Sequence, residues 1–120
     1  MGKSITKLDD IDVYKDALNL AKSTFLLLED KRLLKEYWLK DQVKRASLSV
    51  AVNIAEGYGR NTKRDFAQFL SISLGSVNEL ITFLDFISLE YKIDTFELKE
   101  KYVVISKRIH SFRSYLLRSK

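Results

Sequence analysis

Apolar side chains recur along this chain at alternating intervals of three and four residues, the period of one helix face. The clearest run is the last, at Leu98, Tyr102, Ile105, Ile109, Phe112 and Leu116. The same period predicts four helices: about Val13 to Glu29, about Glu36 to Gly57, Thr62 to about Glu90, and Asp94 through Leu116. Because the connections between them are short, neighbouring helices should run antiparallel. We therefore predict an all-α, up-down-up-down four-helix bundle that forms one domain over residues 1–120.

Composition strengthens this helical interpretation. The 120 residues include no proline, where average usage would give about six. The absence of cysteine excludes disulfides, thiolate metal sites and cysteine nucleophiles. No apolar run approaches the ~18 residues of a membrane span, and no signal-peptide pattern opens the chain. We expect a cytoplasmic protein with no membrane partner.

The second predicted helix is apolar almost all round, which is typical of a buried helix. Its exceptions are spaced three or four residues apart and form one polar row: Arg45, Ser49, Asn53 and Glu56. On a buried helix, such a row must be hydrogen-bonded internally or meet another subunit. We expect Glu56 to accept hydrogen bonds from a base such as Arg45 or Arg60.

Three of the four glycines lie between residues 57 and 75, at the end of this helix and in the next one. Gly57 and Gly59 should end the second predicted helix, because glycine accepts the left-handed conformation of a C-terminal cap. Gly75 lies inside the third predicted helix, where glycine costs ~1 kcal/mol relative to alanine. We expect Gly75 to mark a close helix crossing.

Basic residues are unevenly distributed along the chain. The net charge is +5, yet residues 101–120 alone carry +6 and residues 1–100 sum to −1. A second basic cluster follows the glycine pair. Clustered bases are the electrostatic footprint of nucleic-acid binding. The predicted phosphate-contacting residues are Arg60, Lys63, Arg64, Lys107, Arg108, Arg113 and Arg118.

Aromatic residues near these clusters add a second element of nucleic-acid recognition. Tyr58, Tyr102 and Tyr115 are expected to stack on unpaired bases. A basic last turn also complements the helix dipole, and a solvated bundle face is charged in any case. The C-terminal cluster alone therefore leaves both interpretations open.

Catalytic chemistry has little support in the sequence. Glu56 and Glu79 suggest a carboxylate pair, but a metal site in a bundle needs a Glu-x-x-His motif on each of two helices. The single histidine, His110, has no carboxylate three or four residues away. No phosphate loop, serine triad or dinucleotide fingerprint is present. We predict a protein that is not an enzyme and that needs no metal and no cofactor.

One block of the sequence resembles a known family. Residues 49–60 read SVAVNIAEGYGR; they are preceded by QVKRAS at 42–47 and followed by DFAQFLSISLGSVNEL at 65–80. This block, from about Leu39 to Leu80, resembles the four-helix-bundle proteins encoded in 23S rRNA intervening sequences, some of which are labelled ribosomal proteins. Ala51 stands where many members have proline, so this helix should be less kinked. Ser73 replaces a common alanine.

The resemblance implies an assembly and a set of partners. Members of this family, and a similar accessory protein of bacterial diversity-generating retroelements, form homopentamers with basic surfaces. That accessory protein binds nucleic acid and works with a reverse transcriptase. Our leading hypothesis is therefore an oligomeric protein that binds RNA or DNA, favouring structured RNA. The alternative is an oligomeric scaffold that recruits an enzyme such as a reverse transcriptase, with a metal-dependent enzyme as a distant third.

Overall fold

Four α-helices joined by short connections make up the described part of the chain, residues 11–118 of a computed structural model. They are α1 (Asp12–Leu27), α2 (Tyr37–Tyr58), α3 (Lys63–Tyr91) and α4 (Phe96–Arg118). A short 3₁₀ helix, Lys31–Leu33, lies between α1 and α2. The four predicted helices are confirmed, with boundaries within two residues of those expected, because helix period and end signals are local properties.

The helices close into a bundle around one core. Each helix packs against its neighbours in sequence, and α4 packs back against α1. This arrangement confirms the predicted all-α bundle, which measures 49 × 21 × 20 Å. The α4 seam is also confirmed, since five of its six residues are buried and Phe112 packs partly buried against the core.

Side chains define where α3 and α4 begin. The Thr62 hydroxyl accepts a hydrogen bond from the Asp65 N–H at 3.0 Å, which satisfies a free donor in the first turn of α3. Before α4, the Asp94 carboxylate accepts from the Phe96 N–H at 3.0 Å, while buried Thr95 donates to the Leu84 carbonyl. Polar side chains thus fix the end of the α2–α3 connection and the end of the α3–α4 connection.

One arginine, Arg32, joins the α1–α2 connection to the α3–α4 connection. The Arg32 Nε and Nη2 atoms donate to the Asp30 carboxylate at 2.9 and 2.8 Å, and Nη1 donates to the Lys92 carbonyl at 2.9 Å. The side-chain hydrogen bond from Arg32 lowers the pKa of Asp30 to about 2. Lys92 ends α3 in the left-handed conformation, with φ 59°.

α3 is long and apolar enough, by length and composition alone, to cross a membrane. Within the bundle, its buried side carries Leu70, Val77, Leu80, Leu84 and Ile87, which belong to the core. The core helix of a soluble protein passes the same test, so this property is weak evidence for a membrane span.

The prediction of a left-handed glycine cap after α2 is wrong. Gly57 lies buried inside α2, Gly59 caps it at φ −78°, and none of the glycines between residues 11 and 118 has a positive φ. A Cβ atom at Gly57 would lie 2.6 Å from Phe66 Cδ1 and 2.9 Å from Phe69 Cβ. Gly57 is therefore needed because the start of α3 packs directly on it.

Gly75 does not mark a close helix crossing, contrary to the prediction. It is exposed, and a Cβ atom there would meet nothing within 4 Å. Serines lie at the α2–α3 contact instead: Ser73 donates to the Val50 carbonyl at 2.6 Å, and the Ser49 and Ser76 hydroxyl oxygens are 2.8 Å apart. Small hydroxyl side chains thus accompany the close approach of these helices.

Candidate nucleic-acid interface

The α2–α3 turn and the C-terminal part of α4 lie at the same end of the bundle. The Phe66 ring packs edge-on against Phe112, with centroids 5.3 Å apart, and Arg113 Nε donates to Ser71 Oγ at 2.6 Å. These contacts bring two basic segments to one end of the molecule, although they are far apart in sequence. We call this group the basic end; it comprises Arg60, Lys63, Arg64, Arg113 and Arg118.

Arg60 is held by an aromatic ring and a weak ion pair. Its guanidinium carbon lies 4.5 Å from the Phe69 ring centroid, and its Nη2 atom lies 3.6 Å from Glu56 Oε1. The Glu56 side chain is 58% exposed, and exposed pairs of this kind contribute only ~0–1 kcal/mol. Arg60 is thus one of the expected partners of Glu56, and this glutamate is exposed in the single chain.

The rest of the polar row lies at the exposed edge between α2 and α3. Arg45 pairs with Glu79 of α3 at 2.7 Å, and Asn53 Nδ2 donates to the Ser49 carbonyl and hydroxyl at 2.9 and 3.0 Å. The row is internally hydrogen-bonded, as predicted. α2 is not buried on all sides, however, because its residues Leu48 and Val52, next to the polar row, are exposed.

The predicted bases of α4 do not share one face. Arg108 pairs with Asp16 of α1, whereas Arg113 is half-buried against Ser71 of α3. Lys107 and Arg118 are both exposed on α4 and are eleven residues apart, which corresponds to ~16 Å of helix. The seven predicted binding residues therefore fall into three places: five form the basic end, Lys107 lies at the α3–α4 groove, and Arg108 lies against α1.

Of the three tyrosines expected to stack on bases, Tyr102 cannot do so. Tyr102 is fully buried, its hydroxyl oxygen lies 2.7 Å from Thr24 Oγ1, and burial raises its pKa to about 12. Thr24 donates its own hydrogen to the Leu20 carbonyl, so Tyr102 is the donor in this pair. Tyr58 is half-buried near Phe66, while Tyr115 is exposed on α4.

Large apolar residues are exposed on the outer side of α2 and α3. We call it the outer face; its exposed apolar residues are Trp38, Leu48, Val52, Ile72, Phe86 and Leu89. Trp38, for example, is 70% exposed. Leu48 and Val52 are four residues apart and Phe86 and Leu89 are three apart, so each pair lies on one side of its helix. These pairs are the sequence signal that indicates the outer face.

The described residues contain no obvious metal site. Within residues 11–118, no group of three or more histidine, aspartate or glutamate side chains is placed to hold a metal ion. Glu56 and Glu79, the suggested carboxylate pair, each form an ion pair with a different arginine: Glu56 with Arg60 and Glu79 with Arg45. The expected lack of a metal, a cofactor and catalytic activity stays a prediction.

Comparison with known proteins identifies a family. No curated protein matches this chain. The family described as 23S rRNA-intervening sequence protein matches residues 9–113, a range that contains α1, α2 and α3 and most of α4. The match therefore extends well beyond the block at residues 39–80 that carries the resemblance in sequence. The chain belongs to the 23S rRNA-intervening sequence protein family.

Proposed function

We propose that this protein is a non-catalytic oligomer that binds structured RNA through the basic end. The observation that carries the proposal is the convergence of the α2–α3 turn and the end of α4, which collects five bases at one end of the bundle. Contacts from Lys and Arg to phosphates supply affinity without sequence information. The N-terminus of α3 adds a partial positive charge to the same surface.

Salt-dependent binding tests this proposal. Fluorescence anisotropy with a structured RNA, a single-stranded RNA and a DNA duplex should give affinities that fall steeply as salt rises. The double variant Arg64→Gln/Arg118→Gln should weaken binding to all sequences alike and reduce the salt slope by about 1 per lost contact. Lys31→Gln, at the opposite end of the bundle, is the matched control. An absence of binding below ~100 µM at low salt, weaker than ordinary non-specific affinity, would refute the proposal.

Oligomerisation is the second part of the proposal, and the outer face supports it. Exposed apolar patches often mark an interface between proteins, and Trp38 and Phe86 of the outer face line one surface hollow together. Burial of this surface between copies, closing into a ring that is pentameric by family resemblance, would remove it from water. Light scattering should give a mass several times 14.0 kDa. A monomer at tens of micromolar, above the range of stable assemblies, would contradict this part.

Two valines provide a matched test of where copies meet. Val52 on the outer face and Val104 on α4 are both 55% exposed. Val52→Glu should reduce the assembled mass, because it places a charge in the interface, whereas Val104→Glu should not. An unchanged mass for Val52→Glu would place the interface elsewhere.

The second candidate function is a scaffold that recruits an enzyme such as a reverse transcriptase. The exposure of Trp38 on the outer face favours it, because exposed aromatic residues often anchor protein partners. Capture of a purified reverse transcriptase that resists high salt and is lost in Trp38→Ser would support the scaffold. Loss of capture at high salt would favour the RNA-binding function.

A further inference from the structure

A hydrogen bond and an ion pair join α3 to α4 at two points, and a depression lies between them. Arg113 Nε donates to Ser71 Oγ at 2.6 Å, and Lys99 Nζ lies 2.8 Å from Asp85 Oδ1. Ser71 and Asp85 are fourteen residues apart, which is ~21 Å along the helix. The α3–α4 depression has a volume of about 500 Å³ and is lined by Leu74, Asn78, Ser106, Lys107, His110 and Ser111. These two polar contacts hold together the two helices that form the depression.

The polar side chains of this depression are available to a ligand. Five of the six lining residues are polar, and none of those five side chains hydrogen-bonds or ion-pairs with another residue between 11 and 118. The other bases of α4 before Arg118 each have a described partner: Lys99, Lys101, Arg108 and Arg113. Lys107 therefore stands out as a cation in a polar hollow.

No uncompensated carboxylate opposes this charge from the neighbouring part of α3. Asp85 is paired with Lys99, and Glu79 is paired with Arg45 on the other side of α3. The depression is also continuous with the basic end, because Arg113 follows His110 by one helical turn. A negatively charged chain bound at the basic end can thus extend into it.

We infer that the α3–α4 depression binds an unpaired nucleotide of the RNA. Lys107 and the Ser111 hydroxyl can contact its phosphate, and the Asn78 amide offers both donors and an acceptor to a base edge. The His110 imidazole can stack on the base, with Leu74 as an apolar wall beside it. This inference rests on the proposed function and deepens it by stating which feature of structured RNA is recognised.

The size and mixed chemistry of the depression favour a nucleotide over simpler anions. Its volume of about 500 Å³ falls in the range of small-molecule sites, ~300–1,000 Å³, and exceeds the needs of one phosphate. A flat base can use the Leu74 side chain as an apolar wall and the Asn78 amide as a hydrogen-bonding group at the same time. Sequence-specific RNA recognition generally targets bases that are splayed out of the helix, which stack on aromatic side chains and form hydrogen bonds at their edges.

A pair of hairpin RNAs tests the inference. One carries a bulged nucleotide in its stem, and the other has the same stem fully paired. Asn78→Ala should weaken binding of the bulged RNA by about tenfold, the ordinary effect of losing one base contact, and leave the paired RNA unchanged. Asn19→Ala on α1, also exposed, is its control. His110→Ala should act like Asn78→Ala.

The possible results separate the inference from the proposed function. Equal binding of both RNAs, with Asn78→Ala and His110→Ala indistinguishable from wild type, overturns the inference; the function stands if Arg64→Gln/Arg118→Gln still weakens binding. Failure of the wild-type protein to bind either RNA refutes the proposed function itself. Binding of an acidic peptide in competition with the bulged RNA, unaffected by Asn78→Ala, also overturns the inference. Circular dichroism confirms that each variant is folded, as expected for exposed positions.

Discussion

Replacing Gly57 by alanine should destabilise the bundle, although alanine is the better helix former. Gly57 lies in the last turn of α2, where alanine alone would gain at most ~1 kcal/mol. Its new Cβ atom would lie 2.6 Å from Phe66 Cδ1 and 2.9 Å from Phe69 Cβ. Overpacking of this kind typically costs ~1–3 kcal/mol.

The neighbours of Gly57 determine where in that range the cost falls. The Phe66 ring is held edge-on by Tyr58 and Phe112, and Phe69 Cβ is fixed to the backbone of α3. Relief therefore requires movement of α3, which favours a cost of ~3 kcal/mol and a net loss of ~2 kcal/mol after the helix gain is subtracted. At ~4 °C per kcal/mol for a domain of this size, Tm should fall by ~8 °C.

Gly75→Ala is the matched control, and its effect should have the opposite sign. Gly75 also lies inside a helix, but a Cβ atom there meets nothing within 4 Å. The helix gain of ~0.5–1 kcal/mol is then unopposed, and Tm should rise by ~2–4 °C. Thermal melts followed by circular dichroism should be recorded at several protein concentrations, because assembly makes Tm concentration-dependent. A Gly57→Ala protein as stable as wild type would refute the reasoning from close packing.

Three further predictions concern stability in urea. Lys92→Gly should be ~1 kcal/mol more stable than Lys92→Ala, because only glycine adopts the left-handed conformation without strain; equal stabilities would contradict this. The pKa of Asp30 is lowered to about 2, so the stability contributed by its pair with Arg32 is present above the unfolded pKa of ~4 and is lost as pH falls from ~4 through ~2. Asp30→Asn should therefore flatten the loss of stability measured across that window, and an unchanged pH profile would argue against the pair. Glu56→Ala should change stability by less than ~1 kcal/mol, and a larger loss would show that Glu56 has a partner in the assembly.

Helix positions could be predicted from the sequence because the relevant signals are local. The Thr62 cap and the seam ending at Leu116 each depend on residues a few positions apart. The roles of the glycines could not be predicted in this way. Glycine suits both a left-handed cap and a close contact, and the choice at Gly57 depends on Phe66 and Phe69 of another helix.

The candidate interface could be predicted only in part, for a related reason. Residues 60–64 are neighbours in sequence, so their clustering is evident without a structure. Arg108 and Arg113 are also close in sequence, but they point to different helices, towards Asp16 and Ser71. The α3–α4 depression was missed because it depends on the register that places Asn78 beside Ser106 and His110, and apolar spacing does not encode that register.

The hydrogen bonds of Arg32 have a consequence for how the bundle opens. Its guanidinium group holds Asp30, in the connection after α1, and the Lys92 carbonyl, in the connection after α3. Neither connection can leave the bundle without breaking a hydrogen bond of that shared group, so the opening of one connection should also loosen the other. The backbone amides of Leu33 and Lys92, which bond to Asp30 and Ser88, should then exchange with solvent through a common opening event. A single side chain thereby couples two connections through residues that are 60 positions apart in sequence.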